Sequence, residues 1–324
     1  MLPTYVSGAI IYSNLLMLLS IGFTFAYLTA KVPNFAHGGN AAIGIYVTFT
    51  LVRILELDPY WAILFAFPIC GLTSALIYKG VIQALKRRGA GLISLSIATI
   101  AAQMMIFASV NIYADYMRGQ AGAYARVFLF RNEDFEWLGL PGVLLVSTIL
   151  AVSIITVLHL MLTRTKFGIA TRATVENADL AGTLGIDTEL ISLVSWFLTG
   201  GLAGIAGTLL PLWFQSTPYT GALILMSVFS ASVVGGMSSI YGAMVGGYVI
   251  GLTEVLGTSF LSDQLGSWVL SYRPLIPLIA MFIILIRVPE GLAGIAGKID
   301  LSRIRESTLS LPAFAGRRRG DRDA

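Results

Sequence analysis

Nine apolar runs, separated by short polar connections, cover most of the chain. They lie near residues 6–29, 35–54, 61–82, 91–112, 141–162, 190–211, 223–237, 240–261 and 273–288. An apolar helix needs about 20 residues to cross the hydrocarbon core of a bilayer, and most of the runs reach that length. Since backbone groups in lipid must satisfy their own hydrogen bonds, the runs are predicted to be helical. The pattern therefore predicts an all-α fold, a polytopic integral membrane bundle of about 8–10 transmembrane helices. The seventh run is short and flanked by glycine, so some helices are predicted to be broken or re-entrant.

The composition is typical of a membrane protein and leaves no room for a separate soluble domain. Of the 324 residues, 56% are hydrophobic and 12% are charged, and the mean hydropathy is +0.82. Soluble domains contain about 45–50% apolar and about 25% charged residues. We predict one transmembrane domain over residues 1–297, which includes a cytoplasmic loop near 163–189, and a basic, disordered cytoplasmic tail over 298–324.

Lysine and arginine cluster at three places, and these clusters predict the orientation of the chain. They lie at Lys86–Arg88, in the 163–189 loop and in the tail. Cytoplasmic loops of membrane proteins carry an excess of Lys and Arg. With nine spans, the rule places the N-terminus outside and the C-terminus in the cytoplasm of a multi-pass protein of the cell membrane. The net charge of +4 comes from these clusters and does not suggest a nucleic-acid partner.

The chain carries no recognisable catalytic or metal-binding motif. It lacks the G-x-x-x-x-G-K-[ST] phosphate loop and the H-E-x-x-H zinc motif. Its two histidines, His37 and His159, are far apart, and Cys70 has no second cysteine to pair with. We therefore expect no catalytic residue, no metal and no cofactor on this chain, and we expect it not to be an enzyme. Glu254 is the acid that lies well inside a run; it is either a proton site, a group near a cavity or a group hydrogen-bonded within the bundle.

Small residues recur four apart in several runs, which favours close packing of helices. Such spacings begin at Gly200, Ala203, Gly242 and Gly247. Two further stretches, 32–44 and 230–247, place glycine and hydrogen-bonding residues at membrane depth. Irregular backbone there is tolerated when it is buried in protein or lines a cavity. These stretches mark either a translocation route or tight loop packing.

One polar segment interrupts the apolar pattern in the middle of the chain. Thr163–Glu189 contains seven charged residues among 27. We predict a short helix over 175–184, which ends at a left-handed Gly185, and an N-cap at Asp187 for the next span. Ala178, Ala181 or Gly182, and Gly185 would share a face of small side chains. The segment is either a docking surface for a partner or a solvated connection.

Four motifs in order along the chain resemble those of one transporter family. The heptapeptide "DLAGTLG" (Asp179–Gly185) is similar to the E-A-A-x-x-x-G coupling motif of ABC-importer permeases, with Asp for Glu and Leu for the first Ala. The stretches "NFAHGG", "VVGGMSSIYGAMVGG" and "RVPEGLAG" begin at Asn34, Val233 and Arg287. Together with the lead "KFGIATRA" they resemble the branched-chain amino-acid (Liv-type) permease family, in particular its shorter, LivH-like subunit.

The resemblance implies a function, partners and site residues. It implies the membrane-spanning permease subunit of an ATP-driven ABC importer, which translocates leucine, isoleucine and valine delivered by an extracytoplasmic binding protein. A second Liv-type permease and two cytoplasmic ATP-binding subunits, which hold the ATP and Mg²⁺, would complete the assembly in the lipid bilayer. The alternatives are the same role for urea, amides or other amino acids, an ion-coupled secondary transporter, and a passive channel.

The same resemblance assigns two sets of site residues in this chain. The ATPase-coupling set comprises Gly168, Arg172, Glu176, Asp179, Ala181, Gly182 and Gly185. The candidate translocation path comprises Asn34, Phe35, His37, Gly38, Gly235 and Gly236 from the resemblance, together with Glu254 as the acid inside an apolar run.

Overall fold

The computed structural model describes residues 3–121, 125–289 and 291–294, and these residues form a helical bundle. The elements in order are α1 (Thr4–Ala30), α2 (His37–Arg53), α3 (Trp61–Ile77), a π-helical stretch (Tyr78–Gln83), α4 (Ala84–Arg87), α5 (Leu92–Ala121), α6 (Gly142–Arg164), α7 (Lys166–Glu176), α8 (Ala178–Thr183), α9 (Thr188–Leu209), α10 (Thr220–Gly235), α11 (Ile240–Leu265) and α12 (Leu275–Arg287). Two short strands, β1 (Glu136–Trp137) and β2 (Leu140–Pro141), form an antiparallel hairpin before α6. Short 3₁₀ turns cover Arg131–Glu133, Leu210–Leu212 and Ser267–Tyr272.

The predicted polytopic helical fold is confirmed, and each of the nine apolar runs has a helical counterpart. Within the described residues, seven helices are long and apolar enough to cross a membrane. The other two runs became shorter helices, α2 with 17 residues and α10 with 16. The predicted tail over 298–324 lies outside the described residues.

Helix α1 forms the centre of the bundle. Its most apolar window is 94% buried, and α6, α9, α10 and α11 pack against it. The corresponding windows of α5 and α6 are 28% buried, so most of their surface faces outward, where a membrane protein meets lipid. A span that is apolar all round can be enclosed by other helices, because it has no polar face that needs water.

The four small-residue spacings are places where helix backbones touch. A Cβ atom added to Gly200 would lie 2.4 Å from the Cys70 carbonyl oxygen. One added to Gly207 would lie 2.1 Å from the Ala41 carbonyl oxygen. Gly246 packs in the same way on α10, and Gly247 and Gly251 pack on α1. Real Cβ atoms do not approach so closely, so these positions must be glycine for the helices to pack as they do.

Helix α2 begins inside the bundle rather than at its surface. The His37 Nε2–H group donates to the Leu19 carbonyl oxygen at 3.0 Å. Leu19 precedes the end of α1 by eleven residues, which is about 16 Å along the helix. Residues 31–36 therefore turn back from the end of α1 into the protein. Thr99 on α5 holds this segment, since its hydroxyl accepts from the Phe35 N–H at 3.3 Å and donates to the Pro33 carbonyl at 3.1 Å.

The outer helix ends and the connections between described helices gather on two opposite faces. We call one the α7–α8 face; it contains the end of α1, α4, the start of α5, α7, α8 and the start of α9. The other, the hairpin face, contains β1–β2 and the segments around residues 55–60, 125–141 and 213–219. On the hairpin face Phe128 and Ser216 exchange two backbone hydrogen bonds of 3.1 and 2.9 Å. The assignment follows from the run of α1, whose Gly8 contacts Trp213 at one end and whose Ala30 carbonyl accepts from Lys86 at the other.

Asp134 ties the connection between α5 and α6 to the hairpin face. Its carboxylate accepts from the Tyr60 hydroxyl at 2.5 Å and from the Val143 backbone N–H at 3.1 Å. The second bond satisfies a donor in the first turn of α6, whose own N-cap residue is Pro141 and provides no side-chain bond. Burial raises the pKa of the Asp134 carboxyl above its usual value, although both hydrogen bonds act in the opposite direction.

Candidate functional site

The polar 163–189 segment folds as two capped helices on the α7–α8 face. Thr165 caps α7 by accepting from the Gly168 N–H at 3.1 Å, and Asn177 caps α8 by accepting from the Leu180 N–H at 3.0 Å. The predicted single helix over 175–184 is therefore wrong, because the backbone of Asn177 is extended, with φ −154°. The predicted stop and cap are confirmed. Gly185 has φ +85°, and Asp187 caps α9 by accepting from the Leu190 N–H at 2.9 Å.

The seven residues of the predicted coupling set divide into two groups. Arg172, Glu176, Asp179, Gly182 and Gly185 are exposed on this face. Gly168 and Ala181 instead point into the chain: a Cβ on Gly168 would lie 2.3 Å from the Met161 carbonyl oxygen, and Ala181 is buried. These two residues seat the segment on the bundle rather than presenting a surface.

Two exposed leucines on this surface did not enter the sequence-based set. Leu180 is 58% exposed and Leu184 is 73% exposed, and they lie one helical turn apart. Gly182, between them, has no neighbouring atom within 4 Å of a built Cβ. The surface thus combines two apolar side chains, an open glycine and a rim of charge. Leucine is also the usual residue of buried helix faces, so the sequence alone does not mark these two as exposed.

Polar contacts link the end of this segment to α4 and to the π-helical stretch, and its α7 residues line a cavity beside α1, α4 and α5. Glu189, in the first turn of α9, makes a salt bridge with Arg87 of 2.7 Å and accepts from the Gln83 side chain at 2.5 Å. Lys86 donates to the Ala30 carbonyl of α1 at 2.8 Å. Thr174 and Glu176 of α7 line a cavity of about 390 Å³ together with the ends of α1, α4 and α5. A displacement of α7 and α8 would therefore disturb contacts at the ends of α1, α4 and α9.

A group of buried polar side chains surrounds the internal start of α2. Asn34, His37 and Asn40 are fully buried. The Nδ2 and Oδ1 atoms of both asparagines have no hydrogen-bond partner among the described residues, and neither has Nδ1 of His37. The Gln103 side chain packs against Gly39. Its Oε1 atom and the hydroxyls of Thr24 and Ser230 also lack a hydrogen-bond partner among the described residues. A buried polar group without a partner costs about 1–3 kcal/mol.

Aromatic rings and a second short helix complete the surroundings of this group. Phe23 lies 6.1 Å from both His37 and Phe229, and Phe229 lies 6.2 Å from Phe35, measured between ring centroids. The first turns of α2 and α10 meet at Gly38 and Gly221, where a Cβ on either glycine would lie 2.2 Å from the other's carbonyl oxygen. The amino ends of two short helices thus meet inside the bundle.

The remaining residues of the predicted path lie elsewhere and do not join this group. Gly235 packs on Gly242, where a built Cβ lies 2.2 Å from the Gly242 carbonyl oxygen, and Gly236 ends α10 with φ +94°. Their position is explained by the tight turn between α10 and α11. Glu254 lies near Tyr12, which precedes Leu19 by seven residues, about 10 Å along α1.

Glu254 is not a lone acid, as the sequence suggested, because Arg273 pairs with it. The Arg273 Nε–H donates to Glu254 Oε1 at 2.8 Å, and Glu254 is 3% exposed. Arg273 follows the 3₁₀ turn before α12, and its guanidinium lies 4.4 Å from the centroid of the Tyr12 ring. A buried pair of opposite charges is a stable arrangement only while both partners are present. Since Arg273 lies nineteen residues away in sequence, only the fold brings it there.

Comparison with known proteins identifies the family. The model of the family described as "Branched-chain amino acid transport system / permease component" matches residues 5–285. The chain belongs to this family of permeases. It is 42% identical over 291 residues to the protein named "Probable branched-chain amino acid transport permease protein LivH" of Methanocaldococcus jannaschii, which covers 90% of this chain and 92% of the relative.

More distant relatives agree with this assignment. The permease is 28% identical over 290 residues to "High-affinity branched-chain amino acid transport system permease protein LivH" of Escherichia coli strain K12, covering 86% of this chain and 90% of the relative. Among solved structures, "PsaBC from Streptococcus pneumoniae in complex with Fab" superposes with a TM-score of 0.52 at 12% identity, covering 87% of this chain and 91% of that chain. At that identity the likeness concerns the fold alone.

Proposed function

We propose that this permease is the membrane-spanning subunit of an ATP-driven importer of leucine, isoleucine and valine. An extracytoplasmic binding protein delivers the amino acid, a second permease of the same type completes the pathway, and two separate ATP-binding subunits hydrolyse ATP. The names of the relatives support the substrate class. The observation that carries the proposal is the capped, exposed α7–α8 segment, which lies on one face of the membrane bundle and contacts α6, α9 and α1.

In this proposal the α7–α8 surface docks into a groove of an ATP-binding subunit. Leu180 and Leu184 supply apolar area, Gly182 allows close approach, and Arg172 with Asp179 form a charged rim. Closure of the ATP-binding subunits on ATP would displace α7 and α8. The Arg87–Glu189 salt bridge and the packing on α1 would pass that displacement to the glycine-packed helices, which alternate between two arrangements.

The buried polar group at the start of α2 is our candidate for part of the translocation route. Its orphaned amide and imidazole atoms need partners, and a zwitterionic amino acid or water would provide them in another arrangement of the bundle. Half-helix amino ends inside transporters favour an anionic substrate group such as a carboxylate. We therefore expect Asn34→Leu to reduce the rate of uptake while leaving association with the ATP-binding subunits unchanged; an unchanged uptake rate would remove Asn34 from the route.

The proposed orientation places the α7–α8 face in the cytoplasm and the hairpin face outside. The N-terminus is then outside and the C-terminus in the cytoplasm, as the distribution of Lys and Arg predicts. The chain's one cysteine, Cys70, is buried and gives a low background for thiol labelling. In intact cells, a membrane-impermeant maleimide should label Glu133→Cys on the hairpin face and spare Thr183→Cys on α8. The reverse pattern would invert the orientation.

The decisive experiment measures uptake of labelled leucine into proteoliposomes that contain the permease with its ATP-binding subunits and second permease, supplied with binding protein. Uptake should require ATP with ion gradients clamped, and excess valine or isoleucine should compete while urea and glutamate should not. Competition by urea or by another amino acid would keep the mechanism and change the substrate. Uptake without ATP, driven by an ion gradient, would refute the proposal in favour of a secondary transporter.

A further inference from the structure

A long apolar groove lies between α2, α3 and α5; Ile106 forms part of its wall and separates it from Gly39 and the buried polar group. The groove encloses about 590 Å³. On α5 it extends from Ala102 to Tyr113, eleven residues or about 16 Å. Leu76 on α3 and Met105 on α5 line it, and they are 69% and 73% exposed. Because both helices are of spanning length, the groove opens toward the hydrocarbon core of the membrane.

The groove offers no hydrogen-bond donor to a polar ligand. The hydroxyls of Thr50, Thr73 and Ser109 each donate to the backbone carbonyl four residues earlier in their own helix, at 2.7, 2.9 and 2.9 Å. The hydroxyl of Tyr113 shares a bond of 2.5 Å with that of Thr50. The Thr50–Tyr113 bond joins α2 to α5 at the end of the groove nearer the hairpin face. An apolar chain therefore fits the groove, and a zwitterion does not.

A lysine lies beside the other end of the groove, at the expected depth of the lipid phosphates. Val81, in the π-helical stretch, lines that end. Lys79 is exposed and follows Leu76 by three residues, a spacing that places both side chains on one helix face. It lies 18 residues after Trp61, about 27 Å along the helix. The hydrocarbon core is about 30 Å thick, so with Trp61 at one boundary Lys79 lies near the other.

We infer that this groove is a binding site for one anionic phospholipid, with an acyl chain between α3 and α5 and the headgroup phosphate at Lys79. The apolar walls, the opening toward lipid and the cation at the phosphate level match the two parts of such a molecule. No salt bridge occupies Lys79 in the part of the chain that the structure describes. The inference does not depend on the transported substrate.

The test is native mass spectrometry of the purified full-length chain, with phosphatidylglycerol or phosphatidylcholine of the same acyl composition added to the detergent micelles. We expect one phosphatidylglycerol to be retained in preference to phosphatidylcholine. Lys79→Ala should weaken this binding about fivefold, the usual effect of one Lys near an anionic lipid surface. Ser109→Phe, which fills the groove from its exposed wall, should abolish it.

Two matched controls distinguish this site from general lipid contact. Ala108→Phe adds the same ring on the neighbouring exposed position of α5, outside the groove, and Arg164→Ala removes a cation at the end of α6. Both should bind phosphatidylglycerol like the wild type, and thermal unfolding should show that all four variants are folded. Equal retention of the two lipids, or an equal loss in the controls, would overturn the inference. A change of oligomeric state in Ser109→Phe with lipid binding intact would also overturn it, and would assign the groove to a protein partner.

Discussion

If ATP-binding subunits dock on α8 as proposed, replacing Gly182 with tryptophan should separate them from the permease without disturbing its own fold. Gly182 lies on α8 with no atom of the described residues within 4 Å of a built Cβ, so a larger side chain starts in open space. Tryptophan is also a better helix former than glycine by a few tenths of a kcal/mol. The thermal stability of the isolated permease should therefore stay the same or rise slightly.

The expected loss lies entirely in the docked state. A groove shaped around a glycine must shift to admit an indole ring, and such overpacking costs about 1–3 kcal/mol. Each 1.4 kcal/mol corresponds to a tenfold change in affinity, so association should weaken about 5- to 150-fold. Gly182→Ala, with one methyl group, should show a much smaller loss, because it adds little volume and favours the helix.

The assay is co-purification of the ATP-binding subunits with the tagged permease, followed by ATP-dependent leucine uptake. Gly119→Trp is the matched control, since Gly119 is also exposed on a helix with open space around it but lies near the hairpin-face end of α5. The reasoning is refuted if Gly182→Trp keeps wild-type association and uptake. An equal loss of association in Gly119→Trp would refute it too, since that residue lies on the opposite face.

Three further predictions concern stability, measured as thermal or denaturant unfolding in detergent. Arg273→Leu should lower the free energy of unfolding by about 3–5 kcal/mol, because it leaves Glu254 buried and unpaired. Adding Glu254→Leu should restore much of that loss. If the effects of the two substitutions simply add, the two residues are not coupled and the prediction is wrong. Gly44→Ala should destabilise by about 1–3 kcal/mol, since its Cβ would lie 2.3 Å from the Gly204 carbonyl oxygen, whereas Gly119→Ala should not destabilise. Asp134→Ala should cost about 1–3 kcal/mol by orphaning two donors. Since the folded state raises the pKa of Asp134, stability should fall as the pH rises from about 4 through that raised pKa, and this slope should be absent in Asp134→Asn.

Local patterns in the sequence determined most of the secondary structure and the general architecture. Long apolar runs form helices wherever they occur, because lipid offers the backbone no other partner. Gly185 and Asp187 ended one helix and began the next as expected, since left-handed backbone and N-cap bonds are satisfied within a few residues. The small-residue spacings correctly marked the close helix contacts. Asn177 is the local exception. Its side chain caps α8, so the single helix predicted over 175–184 is interrupted at this residue.

The tertiary structure alone decided where each element lies and which groups meet. The sequence marks residues 32–44 as irregular, but the depth at which α2 begins depends on Leu19 and Thr99, which belong to other helices. The partner of Glu254 is likewise supplied from a different element, so the acid looked solitary in its own apolar run. Gly168 and Ala181 look like surface residues in a polar segment, yet they pack inward because α6 and the rest of the bundle lie beside them. These features rest on contacts between residues distant in sequence, and no local propensity encodes such contacts.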